Sequence, residues 1–94
     1  MNDSSSSGST EQCWLVEREF GDRNVVTIVY ATADGSRYLH RERSTASLRN
    51  GSPVTAAVEV PEDDLEAVRD EDRRERYATE ANRTETQFDP DDPI

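Results

Sequence analysis

Along Cys13 to Phe20, Trp14, Val16 and Phe20 fall on one side and Glu17 and Glu19 on the other, the two-residue period of a half-buried strand. Gly21 to Asn24 reads as a turn. Val25 to Thr32 is β-branched and aromatic almost throughout, which predicts a central strand covered on both faces. Asp34-Gly35 supplies the positive φ of a two-residue hairpin turn, so Ser36 to Arg43 returns as a third strand. Residues 44–53 read as a loop with room for one helical turn. Val54 to Val60 alternates again as a fourth strand.

Pro61 opens a helix, followed by Glu62, Asp63 and Asp64, three acids suited to a helix N-terminus. Leu65 and Val68 would be its inward pair. From Asp70 to Gln87 the composition is helical, with Asp70/Arg74 and Asp72/Arg76 spaced for ion pairs and an apolar stripe of Tyr77, Ala81 and Phe88. At 100° per residue Val68 and Tyr77 lie on opposite sides of one helix, so a break is predicted near Arg69 to Asp72. Residues 1–12 read as a disordered serine-rich tail and 89–94 as an acidic tail around one domain at 13–88. The expected fold is α+β, a three- to four-stranded antiparallel meander followed by one or two C-terminal helices packed on one sheet face.

The turns fix registers. A two-residue turn at Asp34-Gly35 sets Ala31 opposite Tyr38 and Val29 opposite His40; a four-residue turn at 21–24 sets Phe20 opposite Val25 and Val16 opposite Val29. One face then carries Trp14, Val16, Phe20, Val25, Val29, Ala31 and Tyr38 and is expected under the helices. The other carries Leu15, Val26, Ile28, Tyr30 and Leu39, flanked by Glu17 and Glu19 on one side and by Arg37, Arg41 and Arg43 on the other. Left uncovered, that stripe is a candidate interface, and a two-fold partner would set Glu17 and Glu19 against Arg41 and Arg43. The competing expectation is that residues 44–60 fold over it and make it ordinary core.

Charge changes the picture next. The 94 residues hold 21 acids against 11 bases, a net charge of −10, and every base is arginine. The acidity is uneven: residues 1–12 carry −2, residues 13–60 balance six acids against six arginines, and residues 61–94 carry −8. Such a surface suits molar salt, where the Debye length of ~3 Å screens self-repulsion, and disfavours general nucleic-acid binding. The runs CWLVEREF, VVTIVYATADGSRYLHRER and DEDRRERYATEANR resemble a family of haloarchaeal proteins without an assigned function, over roughly residues 13–94. The resemblance implies a halophilic setting and no particular chemistry.

Candidate chemistry is sparse. No segment reaches the ~20 apolar residues of a membrane helix, and Met1 to Gln12 is polar rather than charged-then-apolar, so a cytoplasmic protein without membrane contact is expected. Cys13 and His40 together do not make a four-ligand zinc site, and no cofactor is expected. His40 and Glu42 share a strand face, as a general base and its orienter would, yet no nucleophile is spaced to join them. Arg37, Arg41 and Arg43 beside Tyr38 would grip phosphates or bases, or would pair with Glu17 and Glu19 in a solvated ladder. The leading expectation is a non-enzymatic interaction or adaptor module, homodimeric or bound to a protein partner through Leu15, Glu17, Glu19, Ile28, Tyr30, Arg37, Leu39, Arg41 and Arg43. Nucleic-acid or anionic-ligand binding along Arg37–Arg43 is the alternative.

Overall fold

The computed structural model describes residues 9–51 and 53–94. Five strands form one antiparallel sheet: β1 (Thr10–Phe20), β2 (Val25–Ala31), β3 (Arg37–Ser44), β4 (Ala57–Pro61) and β5 (Glu66–Ala67), in the spatial order β4-β1-β2-β3-β5. A short helix, α1 (Thr45–Asn50), follows β3, and a long one, α2 (Glu71–Gln87), packs on one face. This is the expected α+β arrangement with two differences in topology. The fourth strand returns to the free edge of β1 instead of extending the meander, and a two-residue fifth strand takes the edge of β3. β1 also begins at Thr10, inside the expected tail, and Thr10–Trp14 is the stretch that β4 pairs with.

The β2–β3 register is the predicted one, with Val29 opposite His40 and Ala31 opposite Tyr38. Its turn differs: only Gly35 has positive φ, 73°, and its N–H donates to the Thr32 carbonyl at 2.8 Å. Asp34 closes the loop by accepting from the Ser36 amide, the Ser36 hydroxyl and the Thr32 hydroxyl. Four residues thus turn the chain where two were expected, without changing which residues face each other.

The β1–β2 register slips by one. Phe20 pairs with Val26, because the turn closes over three residues, Asp22–Asn24, with Arg23 and Asn24 both left-handed (φ 61° and 62°) and the Gly21 N–H donating to the Val25 carbonyl at 2.7 Å. A bulge at Val16, between Leu15 and Glu17, absorbs the extra residue, so that Trp14 still meets Ala31. Beyond the bulge every side chain sits on the face opposite to the one expected.

No helix forms from Pro61 to Val68. A 3-10 turn at Glu62–Asp64 leads into extended chain, and the Val68 N–H donates to the Ser36 carbonyl at 2.8 Å. Topology requires this: the chain must pass from the β4 edge to the β5 edge, and a helix rising 1.5 Å per residue covers too little distance in so few residues. A helix begins where the break was predicted, since Asp70 caps α2 by accepting from the Arg73 amide at 2.9 Å.

Two cores result, one on each side of the sheet. Beneath α2, on the helix face, lie Trp14, Val29, Ala31, Val68, Tyr77 and Ala81; on the far face lie Cys13, Val26, Ile28, Tyr30, Val54 and Val60. Phe88 is not part of the helical stripe; it caps the C-terminus of α2 and is partly exposed. The segment expected as a free acidic tail, residues 89–94, is bonded to the sheet margin through Pro90, Asp92 and Ile94. Ala57 and Ala56 donate to the carbonyls of Pro90 and Asp92, and Ile94 donates to Val54. Pro90 serves as an acceptor and Pro93 lies opposite Thr55 between bonded neighbours, so at this margin neither missing N–H costs a ladder bond.

Candidate functional site

The apolar stripe proposed as an interface is covered by the chain itself. Ile28 and Tyr30 are 2% and 5% exposed, with Leu15 and Leu39 half-buried beside them. Leu48 from α1, Val54 from the loop before β4 and Leu65 from the crossing segment supply the cover. This is the second of the two expectations for that face: the 44–60 segment folds over it, helped by Leu65 from outside that range. The Tyr30 hydroxyl is pushed above its ordinary pKa by burial, an effect partly offset by the guanidiniums of Arg41, Arg43 and Arg18.

The β2–β3 register sets Arg41 and Arg43 on the face of Tyr30, and the bulge in β1 adds Arg18 to it. Glu17 and Glu19, expected to flank the stripe, rotate onto the helix face, and Arg18 and Phe20 take their place on the far face. Two cross-strand rows follow from the register: Arg18, Ile28, Arg41 and, next to it, Phe20, Val26, Arg43. Phe20 is 71% exposed. Arg41 is exposed, Arg43 donates to Ser47 of α1, and Arg18 donates to the main-chain oxygen of Ile94. Arg37, the remaining arginine of the expected cluster, stands apart and is ion-paired with Glu11 of β1. The patch is therefore Arg18, Phe20, Arg41 and Arg43. Arg18 and Phe20 were missed because the alternation of β1 reads as unbroken; the signal for the slip is Asn24, a residue tolerant of left-handed backbone at the end of the turn.

On the helix face, Glu17, Glu19 and His40 form the floor of an open cleft of about 410 Å³ whose wall is Arg73, Arg76 and Tyr77 of α2. Arg76 lies 3.7 Å from Glu17 and 5.7 Å from the centroid of the Tyr77 ring, while Tyr77 meets Tyr38 at 6.1 Å between centroids. Positive wall thus answers negative floor within the chain. His40 is exposed, and the register sets it opposite Val29, in the same cross-strand row as Glu17. Among the described residues no group of three or more His, Cys, Asp or Glu is placed to hold a metal ion. Cys13 is fully buried, and burial with the nearby Glu59 carboxylate pushes its thiol up to about 11, which suppresses the thiolate.

No helix among the described residues is long and apolar enough to cross a membrane. The model of a family described only as being of unknown function, DUF7967, matches residues 7–94. No curated protein matches the chain, and no solved structure does.

Proposed function

The chain belongs to this family of unknown function, DUF7967, and from that premise we propose that it is a non-enzymatic interaction module that presents Arg18, Phe20, Arg41 and Arg43 to an acidic protein partner. The observation that carries this reading is the exposure of Phe20 (71%) in register with Arg43. An exposed aromatic on the same sheet face as three arginines offers side-chain types that dominate protein interfaces, and arginine forks match carboxylates in pairs. That such a cluster occurs in a chain of net charge −10 marks it against the rest of the surface.

A homodimer is the competing form of the same reading. The patch is on the far face, while the acidic helix α2 lies on the other, so a contact between patch and helix of two copies is head-to-tail and does not form a two-fold dimer. Binding along Arg37–Arg43 to a nucleic acid or another anion loses Arg37 to Glu11. The composition carries the finer reading of setting: the cytoplasm of a halophilic archaeon.

Retention on immobilised poly-glutamate and on single-stranded RNA, with light scattering alongside, tests the proposal. Wild-type protein held by poly-glutamate and released at least tenfold more readily after Phe20→Ala with Arg41→Glu supports it. Equal retention of both proteins on poly-glutamate overturns it, preferential retention on RNA replaces it with the nucleic-acid reading, and a closed dimer blocked by the same substitutions replaces it with self-association.

A further inference from the structure

We propose that the open edge of β3 takes up an extended acidic segment of the partner as a sixth, antiparallel strand, an inference that rests on the interaction reading above and specifies the partner's form. On its inner side β3 is paired with β2 from Tyr38 to Ser44. On its outer side β5 reaches only Arg37 and Tyr38, so among the described residues no strand lies against Leu39 to Ser44. The Thr32 N–H donates to the Arg37 carbonyl and the Val68 N–H to the Ser36 carbonyl, which sets the alternation: odd-numbered residues direct their backbone groups at β2 and even-numbered ones outward. His40 and Glu42 therefore offer N–H and C=O groups to an added strand.

Side chains select the occupant. Leu39, Arg41 and Arg43 project on the far face, beside the patch, and His40 and Glu42 on the helix face. A strand laid along this edge places its own alternate residues about 5 Å from Arg41 and Arg43, where carboxylates are favoured, and the intervening ones opposite His40 and Glu42, where a further acid is not. The partner segment thus alternates acidic with neutral polar residues. A second copy of β3 fits poorly. A two-fold axis normal to the sheet pairs residues of the same face, and the registers that keep most of His40–Ser44 paired set Arg41 opposite Arg41 or Glu42 opposite Glu42.

The test uses the full chain and four heptapeptides: alternating Asp-Thr, its block isomer with all aspartates first, and alternating peptides N-methylated at either the threonines or the aspartates. Strand addition predicts at least tenfold tighter binding of the alternating peptide than of the block isomer, protection of the His40 and Glu42 amides from exchange, loss of both on N-methylating the threonines, and retention on N-methylating the aspartates, whose amides point away. Equal binding of alternating and block peptides without protection overturns strand addition and leaves the acidic-partner reading standing. No binding of any peptide overturns both, and amide protection at His40 and Glu42 that grows with protein concentration alone assigns the edge to a second copy instead.

Discussion

Gly35 shows how much one position decides. Its φ of 73° excludes most side chains, and a Cβ there would lie 2.2 Å from the Arg74 carbonyl oxygen and 2.7 Å from the Ala78 nitrogen. The hairpin tip thus touches the backbone of α2 directly. Gly35→Ala is expected to cost about 2–4 kcal/mol, strain and overpacking together, read as a fall in the urea midpoint. Its neighbour Asp34 has its carboxyl held below the ordinary carboxylate range, first by the Ser36 amide and then by the Thr32 and Ser36 hydroxyls. A depressed native pKa stabilises the fold above the unfolded value of about 3.9, and that stability is lost as pH falls through the lower native value. Asp34→Asn should therefore lower stability at neutral pH and flatten its decline below about pH 4, measurable by denaturant titration across pH. Cys13, with its thiol raised to about 11, should resist an aromatic disulfide reagent until the protein unfolds.

At the scale of elements, α2 is held by little. Only Tyr77 and Ala81 of its residues are buried, one turn apart, against Val29, Ala31, Val68 and Trp14. Tyr77→Ala is expected to cost about 3 kcal/mol or more, and exchange protection should vanish from α2 before it vanishes from β1 and β2. The start of α2 at Asp70 and its inward pair Tyr77 and Ala81 could be read from the sequence because a helix imposes its period on local side chains, whereas Phe88 falls outside the stripe and no α-helix runs directly into Asp70 to be interrupted. The β2–β3 register was equally legible, since one short turn sets it and both four- and two-residue closures leave the same pairs opposed. The β1–β2 register was not. Two left-handed residues and a bulge cancel in count at Trp14 but reverse the faces of Glu17, Arg18, Glu19 and Phe20, and alternation of apolar and polar residues is blind to an inserted residue that keeps Val16 against Trp14 and Val29. The candidate patch consequently exchanged its acids for Arg18 and Phe20.

For the whole molecule, the charge of −10 sets the conditions of stability. Raising salt from about 0.1 M to above 1 M shortens the Debye length from ~10 Å to ~3 Å and relieves repulsion concentrated in residues 61–94. The Tm should rise by several degrees over that range, in sodium and potassium chloride alike, as thermal scans will show; a flat or falling Tm counts against the halophilic reading. Removing residues 90–94 should also lower Tm by several degrees, because three backbone bonds to Val54, Ala56 and Ala57 go with them.

What the sequence determined by itself is everything governed by neighbours along the chain: the hairpin of β2 and β3, the capped start of α2, the division into a balanced sheet and an acidic C-terminal part. Tertiary structure decided what depends on residues far apart. It sent β4 to the edge of β1, replaced the helix expected from Pro61 with a 3-10 turn at Glu62–Asp64 and extended chain, tied Pro90–Ile94 to the margin, and buried Ile28 and Tyr30 under Leu48, Val54 and Leu65. The reason is physical. A turn or a cap satisfies its hydrogen bonds within a few residues, whereas an apolar face can be covered by any segment long enough to reach it, and only the folded arrangement selects which one does.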